Sequence, residues 1–158
     1  SETARTLPAP TLVESAELGD MLREDVSVSR PLEAARKADL VVYSPGAVST
    51  DSILVRAGDV TAEGIEKVRS KGERADVMSH YVDVHGHVVD EELDSRTISV
   101  DLDCVKVRDG EGHSLPCART VLAIASGAEK AEALGTALRG GLCTDVVVDA
   151  NVAERAFQ

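Results

Sequence analysis

The sequence predicts an α/β fold built on a mainly parallel sheet with helices on its faces. Two observations lead there. The last third reads strand, helix, strand in "TVLAIA" (120–125), "ASGAEKAEALGTALRGG" (125–141) and "TDVVVD" (144–149). That order and spacing suit a right-handed βαβ unit. Earlier, "DLVVY" (39–43) is a short continuous apolar run of the kind found in buried parallel strands.

The remaining elements follow from local chemistry. "RTLPAPTLVES" (5–15) reads as an extended segment ending near Ser15, a helix N-cap. "AELGDMLRED" (16–25) and "RPLEAARKA" (30–38) carry helical spacing. "SPGAVSTDS" (44–52) is a loop, and "TAEGIEKVRSKG" (61–72) is a helix opened by Thr61 and closed by Gly72. "ADVMSHYVDVHGHVVD" (75–90) suggests two strands around a turn at His85–Gly86, with a further strand in "RTISVDL" (96–102). "KVRDGEGHSLPCA" (106–118) is polar and Gly-rich, a loop or insertion. In the helix of 125–141, Ser126 and Glu129 form an S-x-x-E capping box, and Ala131, Leu134, Gly135 and Leu138 form an apolar stripe. Gly140 or Gly141 stops it, and "ANVAERAF" (150–157) is a final short helix.

The bulk numbers bound the function. A length of 158 residues fits one domain with a real core. The net charge of −11 repels nucleic acid and anionic membranes over most of the surface, so any DNA contact lies in another domain. No apolar run approaches the ~18 residues of a membrane span. Cys104, Cys117 and Cys143 are an odd set without a C-x-x-C pair, which reads as reduced thiols in a cytoplasmic protein. The aromatic residues are Tyr43, Tyr81 and Phe157, with no Trp, so stacking on neutral sugars or bases is poorly served. A polar ligand would be held by hydrogen bonds and charge.

Three places could hold one. The mouth of the 125–141 helix has orphan N–H groups, Gly127 for close approach, and Lys130 in the first turn, where the dipole disfavours a cation. Either an anion binds there, or the capping box satisfies the donors and Lys130 is solvated. The loop at Gly46, with Ser44, Ser49, Thr50 and Ser52, suits a polyhydroxylated or phosphorylated ligand, and is equally an ordinary loop. Asp76, at a strand start, either points at ligand hydroxyls or faces water. If the strands at 39–43 and 120–125 are parallel, the Gly46 and Gly127 loops open on the same sheet edge. His80, His85 and His87 lack a further ligand at metal spacing, and H-G-H fits a turn, so neither metal nor cofactor is expected. "DEELDSR" (90–96) reads as a solvated charged face, and no catalytic motif is present.

Taken in order, "TLPAP", "KADLVVYSPGAVSTDSILVRAG", "ADVMSHYVDVHGHVVD" and "ASGAEKAEALGTALRGGLCTDVVVDANVAERAF" resemble the effector-binding domain of SorC-type bacterial transcriptional regulators over nearly the whole chain. The resemblance implies a Rossmann-like sheet with helices on both faces, similar to sugar-phosphate isomerases and deaminases. It implies a domain that senses a phosphorylated sugar, controls sugar-catabolic genes and forms oligomers without catalysis. It assigns Lys130 and the turn around Gly127 to the phosphate. Gly46, Ala47, Val48 and Ser49 line the pocket, and Asp76 accepts a sugar hydroxyl. Ala75 and Ser126 stand where the family usually has Gly, and "S-P-G-A-V-S" replaces "G-I-G-A-V-G". The family's first strand, its Gly- and Thr-rich phosphate loop and its helix-turn-helix normally precede "TLPAP". The chain is therefore expected to be the later part of one effector domain, residues 1–158, contacting DNA only through a domain outside it. The alternatives are an isomerase- or deaminase-like enzyme on the same fold, or an oligomerisation module with an empty pocket.

Overall fold

Polar side chains set the start of every α-helix but the one at Ala131–Arg139 in the computed structural model, which describes residues 4–47, 49, 55, 56, 58, 60–107 and 120–157. Helix α1 (Ala16–Glu24) begins where Ser15 Oγ accepts the Leu18 N–H at 3.2 Å, as the sequence indicates. Asp25 then accepts the Ser27 N–H at 2.8 Å and opens α2 (Val26–Arg36). This helix begins four residues earlier than the "RPLEAARKA" spacing indicates, because Asp25 caps it and Pro31 is tolerated inside. Strand β1 (Leu40–Tyr43) follows, and the sequence between them is too short for another element. Thr61 caps α3 (Ala62–Ser70) through the Gly64 N–H at 3.0 Å. Strands β2 (Ala75–Val77) and β3 (His80–Val82) come next, then α4 (Glu91–Ser95), capped by Asp90.

The strand expected in "RTISVDL" does not form. Thr97 makes a single bridge to Leu12, and Leu102–Cys104 turns as a short 3-10 helix. Most of the loop expected at 106–118 lies outside the described residues, Cys117 included. Strand β4 (Thr120–Ala125), a 3-10 turn (Ala128–Lys130), α5 (Ala131–Arg139), β5 (Asp145–Val148) and α6 (Ala150–Ala156) complete the chain. Helix α5 stops at Gly141, whose φ of +63° lets the Leu142 N–H reach back to the Ala137 carbonyl at 2.8 Å.

Strands β1, β4 and β5 form one parallel sheet in the order β1–β4–β5. The α/β class and parallel sheet expected from the sequence are therefore present. Helices α5 and α6 cover one face: Leu134, Ala137 and Val152 pack against Val121, Ala123 and Ala125. On the other face Leu40, Val42, Ile124 and Val147 are 40–55% exposed. The second helical layer is not among the described residues, because α2 packs with Val13 and Ile98 in a separate cluster instead. "DLVVY" consequently alternates between core and surface rather than being buried throughout.

The hairpin also differs from its sequence reading. Its turn lies at Met78–Ser79, both at positive φ (+54° and +73°). Asp76 Oδ1 accepts the Ser79 N–H at 2.8 Å, and Ser99 Oγ donates to the Met78 carbonyl at 2.7 Å, which holds this left-handed pair. The chain does turn at His85–Gly86, around the Asp83 carboxylate, but it returns only as one bridge, Val82 to Val88.

His80 is structural. It is buried, with Nδ1 2.6 Å from Asp94 Oδ1 and Nε2 2.9 Å from the Val100 carbonyl. Both ring nitrogens face acceptors, so the imidazolium is the form that satisfies both. Burial opposes the charge, but the hydrogen bonds to Asp94 and Val100 and the charges of Asp94 and Asp76 outweigh it and raise the His80 pKa. A raised histidine stabilises fully below its unfolded value and loses that contribution as pH rises through the folded one. His80→Asn should therefore cost about 1.5–3 kcal/mol at pH 6, the scale of a charged hydrogen bond. The cost should shrink at pH 9. Urea denaturation of both proteins at the two pH values checks this, and an equal loss at both would contradict it.

Candidate functional site

Three parallel strands end on the same edge of the sheet, and their loops meet there. Ser44 follows β1, Ser126 and Gly127 follow β4, and Asp149 follows β5. Lys130 Nζ donates to Ser44 Oγ at 2.6 Å, linking the β1 loop to the mouth of α5. Among the described residues no carboxylate lies within ion-pair distance of Lys130.

The capping box expected from Ser126 and Glu129 is not formed. Ser126 Oγ donates to Asp149 Oδ2 at 2.9 Å, and the Gly127 N–H donates to the same oxygen at 2.8 Å. Asp149 Oδ1 accepts the Val152 N–H at 2.9 Å and so caps α6 as well. Asp149 turns the Ser126 hydroxyl away from the Glu129 N–H, and the Glu129 carboxylate lies folded against Gly127 without making the reciprocal bond. Gly127 takes φ +97°, a conformation L side chains rarely adopt. A Cβ there would also collide with the Glu129 carboxylate. The N–H groups of Ala128 and Glu129 have no acceptor among the described residues. The start of the 3-10 turn thus presents two N–H groups with no acceptor among the described residues, between the Lys130 ammonium and the Glu129 carboxylate that lies against Gly127.

Gly46 and Asp76 are paired. The Gly46 N–H donates to the Asp76 carbonyl at 2.7 Å, and the Asp76 N–H donates to the Gly46 carbonyl at 2.9 Å. A Cβ on Gly46 would lie 3.2 Å from the Asp76 Cβ, so glycine permits the approach. The bridge draws the β2–β3 hairpin to the sheet edge. Burial pushes the Asp76 carboxyl up, and the Ser79 N–H and the His80 and Lys130 charges pull against that rise. Asp76 therefore lies within electrostatic range of Lys130.

The structure brings Gly46, Ala47, Asp76, Gly127 and Lys130 to one rim. Ala47 shares a cleft with Glu129, next to Lys130. Ser49 is partly buried, and Val48 lies outside the described residues. Sequence reasoning missed the role of Asp149, although an acid between "VVV" and a helical run is an N-cap signal. It also missed Glu73, whose "KGER" context reads as a charged turn. His85 and His87 stand apart, and no group of three metal-binding side chains occurs among the described residues.

Asp149 is held below the ordinary carboxylate range by the Gly127 and Val152 N–H groups and the Ser126 hydroxyl. A depressed acid stabilises above its unfolded value, about 3.9, and loses that contribution as pH falls through the folded one. Asp149→Ala should therefore lower the thermal midpoint at pH 7, and the gap should narrow as pH drops below about 4. Thermal scans at both ends check this. A gap unchanged with pH would mean that the charge plays no part.

The comparisons with known proteins agree with this architecture. A family model described as "Putative sugar-binding domain" matches residues 1–157. The transcriptional regulator LsrR of Enterobacter sp. (strain 638) is 31% identical over 150 residues, covering 93% of this chain and 43% of that protein. The deoxyribonucleoside regulator of Bacillus subtilis (strain 168) is 25% identical over 94% of this chain and 44% of its own. The solved DeoR family transcriptional regulator from Listeria monocytogenes superposes with a TM-score of 0.82 at 28% identity, over 95% of this chain and 57% of that one. The chain spans less than half the length of these two curated relatives. With a match that runs through both halves of the sheet and both loops of its rim, the chain belongs to this sugar-binding domain family, as its resemblance to SorC-type effector domains implied.

Proposed function

We propose that the chain is the ligand-sensing part of a bacterial transcriptional regulator and binds a phosphorylated sugar without transforming it. The observation that carries the reading is the α5 mouth: among the described residues the Ala128 and Glu129 N–H groups have no acceptor, and Lys130 donates to Ser44 with no carboxylate at ion-pair distance. Such a mouth suits a phosphate, which the dipole, the N–H groups and the ammonium favour together. Asp76 faces the same rim and is suited to accept a sugar hydroxyl. Gly46, Ala47, Val48 and Ser49 would form the wall between them. Relatives described as regulators support sensing over turnover.

In this reading DNA is contacted by a domain outside the chain, in keeping with the net charge of −11. Homo-oligomer formation belongs to the same reading. No helix of the described residues is long and apolar enough to cross a membrane.

The test is Lys130→Ala. Hydrogen bonds to charged groups contribute about 1.5–3 kcal/mol. The variant should bind ribose, deoxyribose or sorbitol phosphate roughly ten- to a hundredfold more weakly. Its folding stability should stay within about 1 kcal/mol, because a cation leaves the unfavourable end of a helix. Titration calorimetry decides, and equal affinities for every sugar phosphate that binds would retire the phosphate assignment.

A further inference from the structure

Two buried side-chain atoms among the described residues have no hydrogen-bond partner, Glu73 Oε1 and the Tyr81 hydroxyl. Glu73 is only 3% exposed, an unusual position for a carboxylate. It lines a cleft of about 110 Å³ with Ala47, Arg69, Arg74, Glu129 and Glu132. Ala47 directly follows Gly46, and Glu129 directly precedes Lys130, so this cleft adjoins the rim described above. Tyr81 stands opposite Asp76 in the hairpin register.

The chemistry of the lining narrows what fits. Arg69 already pairs with Glu66 at 3.1 Å, and Arg74 with Glu132 at 3.6 Å. A second phosphate here would face Glu73, Glu129 and Glu132 with both guanidinium groups engaged. A neutral donor that needs an acceptor does not meet that repulsion. A hydroxyl is small enough for the cleft and can donate to the Glu73 carboxylate that lines it, whose enclosed Oε1 has no partner among the described residues.

We propose that Glu73 is the acceptor of a hydroxyl-binding subsite beside the phosphate site, and selects ligands whose polyol portion reaches into the cleft. This rests on the phosphorylated-sugar reading and adds a residue and a specificity to it. Electrostatics agree with the geometry. Burial and the Asp76 charge, opposed by Arg69 and Arg74 and reinforced by Glu132, push the Glu73 carboxyl up to about 7. A hydroxyl donated to the ionised carboxylate pulls it back down.

The test follows the Glu73 carboxyl by carbon-13 NMR while inorganic phosphate, sorbitol, and ribose, deoxyribose and sorbitol phosphates are added in turn. The sugar phosphate that binds tightest should move the Glu73 resonance and lower its titration midpoint, and inorganic phosphate should do neither. By calorimetry, Glu73→Leu should bind that sugar phosphate about tenfold more weakly and inorganic phosphate as the native protein does. Glu73→Gln, which keeps the shape and an acceptor, should lose less. A silent Glu73 resonance at saturation, or native affinity in both variants, overturns the subsite. If that happens while Lys130→Ala still weakens binding, the phosphate reading stands alone. If sorbitol moves Glu73 while phosphate adds no affinity, the subsite stands and the phosphate reading falls. If no probe binds the native protein, both fall.

Discussion

Everything at the rim depends on the parallel pairing of β1 with β4, Leu40 opposite Thr120 through Tyr43 opposite Ala123. Parallel strands send their carboxyl ends the same way, so the residues that follow them emerge together. Strand β5 extends the arrangement in the same sense, Leu122 opposite Asp145 through Ala125 opposite Val148. Ser44, Gly127 and Asp149 are distant in sequence but share one edge for this reason alone. An antiparallel β1 would place Ser44 at the opposite end of the sheet. The 2.6 Å bond from Lys130 to Ser44 could not then form.

Around that edge the charges are arranged unevenly. Asp149 uses one carboxylate oxygen on Ser126 and Gly127 and the other on the start of α6, which fixes the β4 loop without filling the helix mouth. Lys130 stays where the α5 dipole disfavours it, held by a neutral hydroxyl rather than an acid. Asp76 is drawn in by its bridge to Gly46 and stays partly desolvated. The Lys130 charge favours the ionised form of Asp76, against the burial that opposes it. His80 is set behind this edge as a clamp between β3, α4 and Val100, which keeps the hairpin that carries Asp76 in place.

Sequence periodicity conveyed the sheet and not the whole of its environment. The runs "TVLAIA" and "TDVVVD" on either side of an amphipathic helix specified the βαβ unit, since only a parallel sheet buries them with that connection. Thr61 and Ser15 were legible as caps because capping is a local event. The Ser126–Glu129 box failed for the opposite reason: Asp149, 23 residues beyond Ser126, accepts the Ser126 hydroxyl and the Gly127 N–H and fixes the turn, and no local rule sees it. The Met78–Ser79 turn was hidden because neither residue favours positive φ, and Asp76 and Ser99 hold it through side chains. In the site, Gly46, Gly127 and Lys130 were legible as glycines and a cation at strand ends. Glu73 was not, because its burial and its unpaired oxygen are products of tertiary packing.

The claim that the β1 and β4 loops together form one anion-binding rim is tested most directly by amide shift mapping. Nitrogen-15 spectra of the protein are recorded while a sugar phosphate that binds it is titrated in. The account predicts the largest shifts at Gly46, Gly127, Ala128, Glu129 and Lys130, saturating together with one affinity. Shifts concentrated elsewhere, such as the cleft lined by His87, Glu91 and Asp103, with the Gly127–Lys130 amides unmoved, would contradict it.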